Sequence, residues 1–132
     1  MGAIARSQLP QQVERLVEAQ ALAALSMANK AGSVVTGFAK VEAAIGASPL
    51  AGLVHAADAG EDGVRKLGQA LSRSLGPDAA AIPRIAMFTS SQLDLALGRL
   101  NVIHAALLAG GPSANVLARC TALEVFRSGD EA

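Results

Sequence analysis

The sequence predicts an α/β domain: a three-layer αβα sandwich around a small mixed, mostly parallel sheet of about four strands. Amphipathic helical stretches alternate with short apolar runs along the chain. Those runs carry almost no charge, too apolar for a sheet with one wet face, so helices must cover both sides. With 52% hydrophobic and 17% charged side chains, the 132 residues suit one packed domain rather than a disordered chain. A five-helix bundle would leave three charge-poor runs between turn signals unexplained.

Met1 to Gln12 has no period and contains Pro10, so it reads as an N-terminal extension. Residues 13–127 then form the domain and 128–132 a polar tail. Val13, Leu16, Val17, Ala21, Ala24, Leu25 and Ala28 follow the i, i+3, i+4, i+7 rule and predict a helix over 11–30, with Gly32 as its left-handed cap. Val34-Val35 is a short β-branched pair. Thr36-Gly37 opens a second helix whose Phe38, Val41 and Ile45 share a face, and Gly46 and Pro49 close it. Leu50 to Ala57 is an uncharged strand. The third helix begins after Asp58, carries Val64, Leu67, Leu71 and Leu75, and stops at Gly76-Pro77. Ile82 to Phe88 is the next strand; Pro83 lacks a donor, so that end belongs at an edge or outside the paired region. Thr89, Ser90 and Ser91 are each competent to cap a short helix with Leu93, Ala96, Leu97 and Leu100 inward. Val102 to Leu108 is another strand. Gly110, Gly111 and Pro112 make a turn, Ser113 caps, and a last helix runs through Val116, Leu117, Cys120 and Leu123.

Chemistry narrows the function by exclusion. Eleven basic and eleven acidic residues give zero formal charge, whereas binding to a phosphate backbone draws on neutralised phosphates, so only a locally clustered basic face would serve. No Trp, no Tyr and three Phe leave no aromatic platform for stacked bases. A single cysteine forms no internal disulfide and fits a reducing cytoplasm. No apolar stretch approaches the roughly 20 residues of a membrane span, and Glu14, Arg15 and Glu18 interrupt the place of a signal peptide's apolar run. His55 and His104 fall inside predicted strands with no metal-like spacing to other ligands, so both read as structural. Cys120 reads as a packed thiol. Gly60, Gly63 and Gly68 do not make a dinucleotide fingerprint, and no phosphate loop is present. Glu61 and Asp62 complement a helix dipole; Lys40, Arg65 and Lys66 taken alone are solvated surface charges. With no nucleophile beside a base, no carboxylate pair and no cofactor fingerprint, neither an enzyme nor a cofactor is expected.

One stretch is more specific. It reads Leu-Ser-Met-Ala-Asn-Lys-Ala-Gly at the end of the first helix, Val-Val-Thr-Gly-Phe-Ala-Lys-Val at the second, and Leu-Val-His-Ala-Ala-Asp at the strand exit. In this it resembles the ribosomal-type RNA-binding domains of the L-seven-Ae/L-thirty-e superfamily, most closely the bacterial YlxQ-like branch, and there the C-terminal half of alphaproteobacterial proteins fused to a YlxR-type domain. The resemblance covers about residues 13 to 126, including Leu97-Gly98-Arg99 and the Gly110-Gly111 turn. It implies a sandwich that grips a kinked RNA helix at one end of the sheet. The contacts it implies are Gly37, Phe38, Ala39, Lys40 and Ala43, then Asp58 and Ala59, then Gly110, Gly111 and Ser113. Kink-turn-binding members carry Asn-Glu after the glycine and a Lys three residues beyond, where this chain has Ala39, Lys40 and Ala43. The side chains that would bond sheared base pairs are absent, so the resemblance implies the scaffold without that specificity.

The expected function is a non-catalytic RNA-binding accessory domain in the cytoplasm. It would hold structured RNA, that of the ribosome included, through backbone amides and a patch of Lys30, Lys40, Arg65 and Lys66. The rival expectation is a protein-interaction module, docking the YlxR-type domain or a ribosome or transcription component. Gathering of those four cations beside Gly37 would favour RNA, and their scatter would favour the rival.

Overall fold

The computed structural model describes residues 8–129. Its elements are α1 (Gln8–Lys30), β1 (Val34–Thr36), α2 (Phe38–Ala47), β2 (Leu50–His55), α3 (Glu61–Leu75), β3 (Arg84–Ile85), α4 (Ser90–Leu97), β4 (His104–Leu108) and α5 (Gly111–Gly129), with a 3-10 helix over Gly76–Ala81. The four strands form one mixed sheet in the order β1-β4-β2-β3, and helices cover both faces. Side chains alternate accordingly. Leu53 and Ala106 face a core with Val41, Ile45, Leu67 and Leu71 of α2 and α3. Val54, Ala105 and Leu107 face the larger core with residues of α1, α4 and α5. Each fully buried Leu contributes roughly 1.5–3 kcal/mol.

The expected class and strand number stand; the expected mostly parallel pairing does not. Only β2 and β3 run parallel, whereas β4 is antiparallel to both β1 and β2. Continuous apolar strands require helices on both faces, and that requirement is indifferent to strand direction. Here β4 returns after α4 and inserts between β1 and β2, so burial is two-sided in a sheet that is mostly antiparallel.

Other differences have local causes. α1 begins at Gln8, inside the expected extension, because Pro10 sits in the first turn, where no intrahelical donor is needed; residues 1–7 lie outside the described ones. α5 runs on through Ser128 and Gly129, into the expected polar tail, whose residues 130–132 are also outside. β3 keeps two residues of the expected seven: the 3-10 turns consume the approach, and Pro83 lies just before the strand at the sheet edge. The carbonyl of Pro83 accepts from Leu53 N–H at 3.0 Å. α4 stops at Leu97 because Gly98 takes the left-handed conformation (φ 63°), and Leu100, expected inward, is 92% exposed. Thr89 is the residue that caps α4: its Oγ1 accepts from Gln92 N–H at 3.2 Å and Gln92 Oε1 accepts from Thr89 N–H at 3.0 Å. Ser113 is no cap. It lies within α5, fully buried.

Gly63, inside α3, shows how tightly that helix sits on the sheet. A methyl group added there would fall 2.6 Å from His104 Nε2, and His104 is buried in β4. Gly63→Ala should therefore cost about 1–3 kcal/mol by overpacking, against the usual gain in helix propensity. Urea unfolding checks this; an unchanged or raised stability would contradict the packing described.

Candidate nucleic-acid interface

Strand direction decides which loops meet. β1, β2 and β3 all run toward one end of the sheet and deliver α2, α3 and α4 there; β4 starts at that end and runs away from it. Three helix N-termini therefore gather at one tip, and each of those ends carries unpaired amides and partial positive charge.

The three starts differ chemically. α4 is closed twice over: besides its capping box, the Asp58 carboxylate accepts from Ser90 N–H and from Ser90 Oγ–H, both at 2.8 Å. Those hydrogen bonds hold the Asp58 carboxyl below its ordinary value. α3 follows Gly60 with no side-chain cap but carries Glu61 and Asp62 in its first turn. α2 follows Gly37, has no side-chain cap and no acidic residue in its first turn, and bears the exposed Lys40 there. Gly37 holds φ 97° with nothing within 4 Å of where a Cβ would stand; glycine is needed for the backbone angle, not for space. Its own N–H donates to His104 C=O at 3.0 Å, which fixes the start of α2 against β4.

Beneath this tip lies a histidine pair. His55 ends β2, His104 begins β4, and they oppose each other in register. Their Nδ1 atoms are 2.9 Å apart and their rings meet edge to face at 81°. One Nδ1–H must donate to the other ring's lone pair. With His55 as donor, its buried and unpartnered Nε2 is a bare acceptor rather than an orphaned N–H, the less costly arrangement. The Phe38 ring stands edge-on to His104, centroids 5.9 Å apart. Burial, then the neighbouring charge of His104 and Arg84, pushes His55 down to about 4; burial lowers His104 as well. The structural reading of both histidines holds.

The sequence-derived site residues are thus divided. Gly37, Phe38 and Lys40 are at the tip, with Ala39 and Ala43 exposed on α2. Asp58 is there too, but its carboxylate serves α4, and Ala59 packs against the larger core. Arg65 and Lys66, one turn into α3, both reach Asp62, at 2.6 and 3.0 Å. Lys30 closes α1 before β1 begins, whereas Gly37 follows β1, so the strand's roughly 10 Å stands between them. Gly110, Gly111 and Ser113 follow β4 at the opposite end of the sheet from Gly37. The four cations do not form one patch.

The structure instead brings in a loop that the sequence divides between α4, expected to include Leu100, and a strand expected to begin at Val102. Arg99, Leu100, Asn101 and Val102 line a hollow of about 360 Å³ with Thr36 and Gly37. The loop is held from behind: the Asp94 carboxylate accepts from Asn101 N–H at 3.0 Å and Val102 N–H at 2.7 Å. Asn101 has φ 63°, a conformation asparagine tolerates better than most residues. Gly98 followed by Arg-Leu-Asn is the signal that could have disclosed it.

Other chemistry is sparse. Cys120 is buried, and burial, with Glu124, pushes its thiol up to about 11. Among the described residues no group of three or more His, Cys, Asp or Glu could hold a metal, and no helix is long and apolar enough to cross a membrane.

The chain shares its fold with an RNA-binding protein. It superposes on the Giardia lamblia 15.5kD RNA binding protein with a TM-score of 0.60 at 16% identity, covering 83% of this chain and 89% of that one. A Bacillus halodurans protein with unknown function gives a TM-score of 0.66 at 20% identity, over 77% of this chain and 97% of the other. No protein-family model and no curated protein matches the sequence. At these identities the fold is what is shared.

The histidine pair sets a pH dependence. A histidine whose native pKa lies below its unfolded value of 6.5 leaves the native state binding fewer protons, so stability is full above pH 6.5 and is lost as pH falls toward 4. His55 alone should cost about 2 kcal/mol between pH 7.5 and pH 5. Urea titrations at the two pH values measure it; equal stabilities would sink the assignment of two neutral buried rings.

Proposed function

We propose that this chain is a non-catalytic RNA-binding accessory domain, a YlxQ-like bacterial protein of the cytoplasm associated with translation or transcription. It holds structured RNA where α2 begins. The observation that carries this reading is the difference among the three helix starts: α2 alone is both uncapped and free of acid, with Lys40 exposed beside it. Phosphate fits such a terminus because free N–H groups and the helix dipole point at it. Arg99, across the hollow from Gly37, adds a second cation. The RNA-binding neighbour in fold supports the choice of polyanion.

Recognition on this reading is of backbone shape rather than of bases, since Ala39 and Ala43 offer no hydrogen-bonding side chains. Two observations favour the protein-interaction alternative: the four expected cations do not gather beside Gly37, and Asp62 occupies Arg65 and Lys66, leaving Lys40 and Arg99 as the tip's main cations. A YlxR-type domain would be the natural partner in that case.

Filter binding to a kinked, structured RNA at low salt separates the two. Lys40→Glu should weaken binding by about 1 kcal/mol or more and lower the slope of log K on log salt by about 0.7–0.9, one phosphate's worth. No binding at about 10 µM protein, within the range of ordinary non-specific dissociation constants, with protein partners retained after nuclease treatment, would favour the alternative.

A further inference from the structure

A second basic surface lies away from the α2 tip. Along α3, Arg65, Gln69 and Arg73 are spaced four residues apart and so share one face. Edge-strand residue Arg84 joins them, and with Val64, Gly68 and Ser72 they line an open groove of about 560 Å³. Arg65 is paired with Asp62. Arg73 and Arg84 have no carboxylate within 4 Å among the described residues.

Gly68 explains how Arg84 reaches across. A glycine inside a helix costs roughly 0.5–1 kcal/mol relative to alanine, and none of the turns or left-handed angles of this chain involves this one. A methyl group there would stand 3.2 Å from Arg84 Nη1; the guanidinium lies over the bare helix backbone. Arg73 complements the C-terminal dipole of α3, but no such interaction accounts for Arg84, which is exposed on the last strand of the sheet.

We propose that this groove is a second phosphate-backbone site, which binds a single-stranded RNA segment independently of the α2 tip. Its floor is Gly68 and Val64, its unpaired cations are Arg73 and Arg84, with Arg65 at the rim already engaged by Asp62, and Gln69 and Ser72 supply neutral hydrogen bonds. Guanidinium forks match phosphate oxygens two at a time. Gly68, over which the Arg84 guanidinium lies, and Arg73 are five residues apart, about 7.5 Å along the axis, a span that suits successive phosphates of one chain rather than a single ion. The groove is open and its lining has no aromatic ring on which a base could stack, so the contact it offers is to the phosphate backbone alone.

The test is fluorescence anisotropy of a 16-residue oligouridylate with the full chain at low salt, with poly-glutamate of equal charge as the control anion. Binding of the oligouridylate, weak or absent binding of poly-glutamate, and a loss of about fivefold or more in Arg73→Gln/Arg84→Gln are expected. The salt slope of that variant should fall by about 1.4, two contacts at about 0.7 each. Gly68→Leu keeps all three arginines but fills the floor, and should weaken binding likewise; melting temperatures verify that both variants fold. Lys40→Glu, which tests the α2 tip, should change oligouridylate binding less than the arginine pair does, so the two sites can fail separately. Equal affinity for poly-glutamate, or an arginine variant that binds as the parent does with the same salt slope, would overturn the proposal.

Discussion

The antiparallel pairing of β2 with β4 is the constraint on which the rest of the molecule depends. Its register places His55 opposite His104 at one end and Leu50 opposite Leu108 at the other. It presents Leu53 and Ala106 to one helical layer and Val54, Ala105 and Leu107 to the other. A one-residue slip would exchange those faces and expose both sets to the wrong layer. The same register decides that α2, α3 and α4 begin at one tip while α5 begins at the far end. Every candidate contact inherits its position from that arrangement.

The tip then acquires its character from which amides remain unpaired. Asp58 is spent on Ser90, Thr89 and Gln92 close α4 reciprocally, and Asp62 engages Arg65 and Lys66 on α3. Only the start of α2 is left without an acidic or capping side chain. A chain with zero formal charge can in this way offer a local site for an anion: its acids neutralise the neighbours of the site and spare the site itself. The histidine pair below stays neutral at neutral pH because burial penalises its charged form, so the positive charge beside the start of α2 is that of its amides, Lys40 and Arg99, with none from the histidines.

Much of this was legible in the residues. The period of Val13 to Ala28 disclosed α1, the uncharged runs disclosed β2 and β4, and Thr89 was among the caps foreseen for α4. The burial of His55, His104 and Cys120 followed from where they fell in those runs. What was not legible was strand direction, because apolar content reports two-sided burial and says nothing of which way a strand points. The resemblance grouped Gly110, Gly111 and Ser113 with the other contacts, and the direction of β4 carries them to the far end. Leu100 misled for another reason: its spacing continued the helical period of α4, but Gly98 in the left-handed region ends the helix first. Asp58 looked like a contact residue because its bond to Ser90 joins positions 32 apart in sequence, which no local pattern reveals.

The central claim is that the free amides at the start of α2 meet an RNA phosphate. Amide chemical-shift mapping of the full chain with a kinked, structured RNA at low salt reads those groups directly. Phe38, Ala39 and Lys40 should shift most, with Arg99 to Asn101 following. Largest shifts on Gly110 to Ser113 with the α2 amides unmoved would mean that RNA does not bind at the start of α2.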